Sequence, residues 1–437
     1  MVTEISRRLL LGSGAAFIGA SFIPLGSHAA RAQAKGGPLN VFAHRVHQTV
    51  ATGAQGGDIT KAWSEKNGVA VQWTTFDTGP LQDRLFREAS LGETSVDVGF
   101  LLNTQAVPRV ADLFEPLDDY MQRDPIEDPD DVFPGLMEGM RVRGKLIAMP
   151  FRHASSGLHY NEELLAERGF NKPPSTIEEL AEMAKALTYR RSDGTPVVGL
   201  VTPGVTYPNV IDIARAWNGD FVTADYKCTA DQPGMLNAIK LLRELFEAGA
   251  FPRNFASLST EDVNVWMQTG RAAMSLQSMG RNRIYNDPQK SRFPGKIKTV
   301  GVPISASLAS QFDVAPAKVE FWGMVIPKRA ARKDLSWSFI KSMLSKENTL
   351  KAALNGNGPV RNSTYADPAF SSRVPYAEEE RRVLKVSRVP LPAFDEAARA
   401  ADYFKEEAEA AVLGMKTPEE AMISLCRRVA PLLASSH

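Results

Sequence analysis

The sequence predicts an α/β protein of two lobes, each a mostly parallel sheet flanked by helices. Three observations predict it. The chain has 437 residues, more than a single ordinary core holds. Residues 38–103 alternate strand and helix signals in the order β-α-β-α-β, which calls for parallel strands with helices on the sheet faces. A second unit opens near residue 145 with the same mixture of signals.

Taken in order, Pro38 to Ala43 is a short apolar run and reads as the first strand. Asp58 to Lys66 reads as a helix. Val69 to Phe76 alternates β-branched and aromatic residues, as a half-buried strand does. Leu81 to Leu91 has helical spacing, with Leu81, Leu85 and Ala89 on one face. Ser95 to Leu102 closes the unit as a third strand. Ligands of such sheets bind beyond the carboxyl ends of the strands, here His44, Phe76-Asp77 and Asn103.

In the second unit, Lys145–Met149 and Leu158–Tyr160 read as extended, with Pro150 to Gly157 between them. Pro173-Pro174 stops any preceding helix. Ser175 or Thr176 then caps the next one, with Glu178 and Glu179 at capping-box distance and Ile177, Leu180, Ala184 and Leu187 as its apolar stripe. Another helix runs from about Met235 to Ala248 and stops at Gly249. Thr417-Pro418-Glu419-Glu420 starts a C-terminal helix: cap, proline in the first turn, glutamate three after the cap.

The first residues read as an address. Arg7-Arg8 precedes an apolar run ending near Leu25, followed by Ala32-Gln33-Ala34 as a cleavage site. Twin arginines in this setting resemble a Tat signal, with an ordinary Sec signal as the alternative. Residues 1–34 are therefore expected to be removed on export to the periplasm. Apolar residues make up 43% and charged residues 23% of the chain, the balance of a soluble globular protein, and the formal net charge is +1. Such neutrality speaks against a nucleic-acid partner or a membrane-surface role. An oxidising compartment permits a disulfide between the two cysteines, Cys228 and Cys426; two buried free thiols fit the sequence equally well.

Five motifs occur in one order along the chain. They are Gly144-Lys145-Leu146-Ile147-Ala148-Met149-Pro150 followed by Leu158-His159-Tyr160-Asn161; Pro173-Pro174-Ser175-Thr176-Ile177-Glu178-Glu179-Leu180; Thr269-Gly270-Arg271-Ala272-Ala273-Met274; Gly323-Met324-Val325-Ile326-Pro327-Lys328; and Gly358-Pro359-Val360-Arg361. Together they resemble the extracellular solute-binding proteins (family 1) that include the maltose-binding type. The resemblance implies the type II periplasmic-binding-protein fold, two α/β lobes hinged by crossovers. It implies an N-lobe of 38–150 plus 319–357 and a C-lobe of 151–318 plus 358–437, with hinges near Pro150, residue 318 and Gly358. It further implies a monomer that delivers a small-molecule carbohydrate to the permease subunits of an ABC transporter.

Enzyme signatures are missing from the mature sequence: it has no G-x-S-x-G elbow, no H-E-x-x-H and no P-loop. The chain is read as a binding protein with no catalytic residues, no cofactor and no metal. His44, His47 and His153 are the one set of imidazoles that could rival this reading as a metal site; His47 falls in a polar stretch and no acidic or Cys ligand joins them. Sugar recognition needs aromatic faces for C–H patches and planar polar groups for hydroxyls. The candidates are His44, Asp77, Asn103, Arg152, His153, Tyr207, Trp217, Asn218, Trp322 and Phe394. Trp217 and Trp322 fit a cleft or a core equally well, whereas Trp63 and Trp337 fall on apolar helix faces. The family commonly carries a stacking aromatic after Ala273-Met274; here the segment has none, and Met279 is the apolar substitute. Arg152 and Arg281, with His44 and His153, would also suit an anionic solute such as a sugar phosphate or acid sugar.

Overall fold

The computed structural model describes residues 37–434, so the twin arginines and the cleavage site fall outside the described residues. Eleven strands lie within them: β1 Leu39–His44, β2 Val71–Phe76, β3 Val98–Leu102, β4 Arg141–Val142, β5 Lys145–Leu146, β6 Met149–Asn161, β7 Tyr189–Arg190, β8 Pro196–Val201, β9 Ala272–Ser278, β10 Ile297–Val300 and β11 Val319–Val325. The main sheet runs β2-β1-β3-β11-β6-β9-β8-β7, with β10 also on β6, and β4 and β5 form a separate hairpin. β1 is parallel to both β2 and β3, as the β-α-β-α-β order requires, and β8 is parallel to β9. β11 runs antiparallel to β3 and to β6.

The local causes are those the sequence carries. In β1 the alternation buries Leu39, Val41 and Ala43. The helix Thr78–Ser90 lays Leu81, Leu85 and Ala89 inward, so close to β3 that a Cβ on Gly99 would sit 2.4 Å from a Leu85 methyl. Thr176 caps the helix Ile177–Ala186 by accepting from Glu179 N–H at 3.1 Å. The C-terminal helix Pro418–Ala434 starts from Thr417, which accepts from the Glu420 N–H at 3.2 Å.

Two hydrophobic cores result. One gathers residues from Leu39 to Phe151 and from Val319 to Val360, together with Tyr365, Phe370, Ala377 and Leu384. The other gathers Leu158 to Ala317, then Val383 and residues from Leu391 to Leu433. β6 is a single 13-residue strand that joins them, whereas the sequence reading breaks it at Pro150–Gly157. Met149–Ser155 pairs with β11, and Ser156–Tyr160 pairs with β9. Proline and glycine look like breakers in isolation. Pro150 is tolerated next to the strand start, and Gly157 is needed because a Cβ there would meet the Val300 backbone carbonyl oxygen at 2.7 Å.

Three segments pass side by side between the cores. The Ser156 N–H donates to Lys318 O (3.2 Å), Val319 N–H to Arg388 O (3.0 Å), and Arg388 N–H to Ala317 O (3.3 Å). The third crossing therefore lies around Arg388 rather than at Gly358. Gly358 stays with the first core, where its carbonyl accepts from the His153 N–H at 3.2 Å. The segment 358–384 reads as second-lobe sequence because its burial is settled by long-range packing, not by local pattern. Cys228 and Cys426 are joined by a disulfide that ties the C-terminal helix to the second core.

Candidate functional site

The carboxyl ends of β1 and β2 and the two central strands meet on one face. Trp322 on β11 stands opposite Arg152 on β6, and Glu320 stands opposite Ala154. Opposed residues, and residues two apart on one strand, share a face, so Arg152, Ala154, Glu320 and Trp322 point to the same side. His44, at the end of β1, is 6.3 Å from Trp322 ring to ring. Its Nδ1 accepts from Val46 N–H (3.2 Å) and so caps the helix Arg45–Thr52. Burial lowers the His44 pKa; Asp77 opposes this, and Arg152 and Arg45 add to it. Asp77 is exposed and pairs with Arg45 at 3.3 Å.

The second core reaches this face through Tyr207, the first residue of the helix Tyr207–Arg215. Burial and then the Glu320 charge push the Tyr207 phenol up, and Lys318, two residues before Glu320, bonds the carbonyl of Pro208 next to Tyr207. Two residues further along β11's line, the Lys318 ammonium pairs with buried Asp212 of the same helix at 3.2 Å. Arg109, beyond β3, pairs with Asp395 of the second core's C-terminal part at 3.4 Å.

His44, Asp77, Arg152, Trp322 and Tyr207 are thus brought together. The other candidates are not. Asn103 is buried and its Oδ1 accepts from the Phe321 N–H (3.0 Å), a bond internal to the sheet. His153 is turned to the opposite face, where its Nε2 lies 2.9 Å from the Tyr365 hydroxyl. Met279 and Phe394 are both 0% exposed within the second core. Trp217 packs on that core at the far end of the helix that Tyr207 begins, ten residues or roughly 15 Å along it. Asn218 is an exposed turn residue with φ 55°. Periodicity alone does not distinguish an indole at a helix end from one at a strand end.

His47, expected in a polar loop, is 1% exposed and stacks on Phe100 at 4.2 Å in the helix after β1. Its Nδ1 accepts from the His44 N–H (3.2 Å), so the imidazoles of His44, His47 and His153 do not converge. Among the described residues, no group of three or more His, Cys, Asp or Glu is arranged to hold a metal ion. Glu320 escaped the sequence reading. The alternation of Val319, Phe321 and Gly323 inward with Glu320 and Trp322 outward was a usable signal for it.

A family model described as "Bacterial extracellular solute-binding protein" matches residues 58–377. The chain belongs to this family. One relative, a probable ABC transporter-binding protein of Deinococcus radiodurans, is 26% identical over 353 residues, covering 76% of this chain and 80% of its own. Another, a probable amino-acid ABC transporter periplasmic-binding protein of Sinorhizobium fredii, is 23% identical over 413 residues, 90% of each chain. Among solved structures, the sugar-binding protein MalE of Xanthomonas citri superposes with a TM-score of 0.75 at 21% identity, covering 91% of this chain and 97% of that one. The solute-binding fold seen here is therefore the two-lobe architecture of MalE-like proteins. In this solute-binding protein β6 pairs with β11 along its first half and with β9 along its second.

Proposed function

We propose that the chain is the periplasmic solute-binding component of an ABC importer and that it holds a carbohydrate between two closing lobes. The observation that carries this reading is the wall on β6 and β11. There an indole, Trp322, and two charged groups, Arg152 and Glu320, lie between the strand ends of one lobe and Tyr207 of the other. An aromatic face beside donors and acceptors is what a sugar ring requires. The fold shared with a sugar-binding protein supports the choice of solute, and the Deinococcus radiodurans relative supports the transport role. The proposed ligand residues are His44, Asp77, Arg152, Glu320, Trp322 and Tyr207.

The first lobe is assigned 38–155 and 319–386, the second 156–317 and 389–434, with the three adjacent crossings as the hinge. A ligand touching both lobes favours the closed arrangement, and the closed monomer docks on the permease subunits. Export follows the twin-arginine route, with cleavage after Ala34. Replacing Arg7 and Arg8 by lysine traps precursor in the cytoplasm if that route is used; normal periplasmic yield refutes it.

The central test uses the mature chain. Mono- and disaccharides and polyols are screened by thermal shift, since a ligand binding only the folded state raises Tm. Small-angle scattering at saturation then reads closure. A raised Tm with a smaller radius of gyration is expected; no shift with any sugar, or an unchanged radius at saturation, sinks the reading.

A further inference from the structure

We infer that Arg152 and Glu320 act as one recognition unit of balanced charge, selecting a net-neutral solute with neighbouring hydroxyls and rejecting acid sugars and sugar phosphates. This rests on the reading that the solute sits between the lobes. The two residues are diagonal neighbours on adjacent antiparallel strands, a geometry that sets their Cβ atoms about 7–8 Å apart on one face.

Neither side chain has a partner. The half-buried Arg152 guanidinium donates to no acceptor among the described residues, and the Glu320 carboxylate, also half-buried, accepts from no donor. Three more deeply withdrawn cations are treated differently. Arg215 is held by Asp220 and by the carbonyls of Arg388 and Val389, Arg361 by Asp131 and three carbonyls, and Lys318 by Asp212 and the Pro208 carbonyl. Burial disfavours the Arg152 cation, with the Glu380 charge opposing it, and a solute that excludes water from the guanidinium must supply a bond in its place. A hydroxyl both donates and accepts, so a vicinal diol satisfies both groups at once, donating to Glu320 and accepting from Arg152.

The surrounding charge decides against an anion. Arg45 is cancelled by Asp77, Lys318 by Asp212, and Arg109 by Asp395. His44 is held toward its neutral form by burial, and His47 more strongly so. Glu380, whose charge also reaches Arg152, lies on the opposite face of the sheet, bonded by Ser155 and Tyr365, so what remains on this face is one positive and one negative group. A carboxylate or phosphate drawn to Arg152 would meet the Glu320 carboxylate with nothing to offset it.

The test measures affinity by calorimetry for matched pairs: D-glucose and D-glucuronate, D-galactose and D-galacturonate, D-mannitol and D-mannonate. Circular dichroism checks that Glu320→Gln and Arg152→Gln fold. The wild type should bind the neutral member of a pair at least tenfold more tightly than the acidic one. Glu320→Gln should weaken the neutral member tenfold or more and bring the ratio to unity or invert it. Arg152→Gln should weaken the neutral member without improving the acidic one. A wild type preferring the acidic member, or an unchanged ratio in Glu320→Gln, overturns the inference while leaving solute capture intact. L-Glutamine binding more tightly than every neutral sugar overturns the hydroxyl assignment, since a zwitterion also matches two opposite charges. Binding of no sugar or acid at all overturns the carbohydrate reading and this inference with it.

Discussion

Asn103 spends its amide oxygen on the Phe321 N–H, a bond internal to the sheet. Asn103→Ala leaves a buried N–H without an acceptor, so it should cost about 1–3 kcal/mol in urea unfolding. Unchanged stability with lost binding would return Asn103 to the ligand list. Three other buried side chains, His47, His153 and His159, decide the acid limb of stability. Burial lowers each pKa, that of His153 to about 3 and of His159 to about 4. Because the folded values are depressed, their stabilising contribution is complete above about pH 6.5 and is lost as the pH falls and the unfolded chain takes up the protons. Each proton accounts for about 1.4 kcal/mol per pH unit, so the three together approach a slope of about 4 below pH 6. Glu380 has the opposite sign: burial raises its pKa against bonds from Ser155 and Tyr365, so it favours the fold as pH falls through that raised value toward the ordinary carboxylate range, where the gain is complete. Urea midpoints at pH 7, 6 and 5 measure the balance, and a flat series would contradict it.

At the scale of elements, the helix Tyr207–Arg215 carries more than its apolar face. Its Asp212 accepts from the Lys318 N–H at 2.8 Å, and its Arg215 donates to Arg388 O at 2.9 Å and to Val389 O at 2.5 Å. One helix of the second lobe thereby holds two of the three crossings. Arg215 is 1% exposed, and removing one partner of a buried charge pair leaves the other uncompensated. Arg215→Met should therefore lower stability by about 3–5 kcal/mol. A midpoint within experimental error of the wild type would show that the crossings hold without it. The shared strand β6 explains why this helix matters: Ser155 and Ser156 are where its partner changes from β11 to β9, so register there is set by neighbours and not by a side-chain pattern of its own.

For the whole molecule, the disulfide closes the longest covalent loop among the described residues, with 198 positions between Cys228 and Cys426. It links the Val222–Cys228 turn to the helix Pro418–Ala434, so the C-terminal part of the chain cannot leave the second core independently. Loop-closure reasoning makes the bond worth about 5 kcal/mol against the unfolded chain. The double variant Cys228→Ser, Cys426→Ser should lose up to that amount, and dithiothreitol should lower the wild-type Tm but not the variant's. Equal melting with and without reductant would mean that the thiols are free.

What the sequence by itself determined was everything local or periodic. Its alternation located β1 to β3, its caps located the helices at Ile177 and Pro418, and its ordered motifs located the family. It also offered His44, Asp77, Arg152, Trp322 and Tyr207 as candidates, because strand ends and family segments mark where a sheet opens. Tertiary structure alone decided that β6 is one strand, that the third crossing is at Arg388, and that Cys228 meets Cys426. It alone sent Met279 and Phe394 into the core, turned His153 to Tyr365, and set Glu320 beside Tyr207. The physical reason is one of range. Burial periodicity and capping are satisfied by neighbours within a few positions, whereas the face a side chain occupies depends on partners 50 to 300 residues away, and no local pattern records which partners those will be.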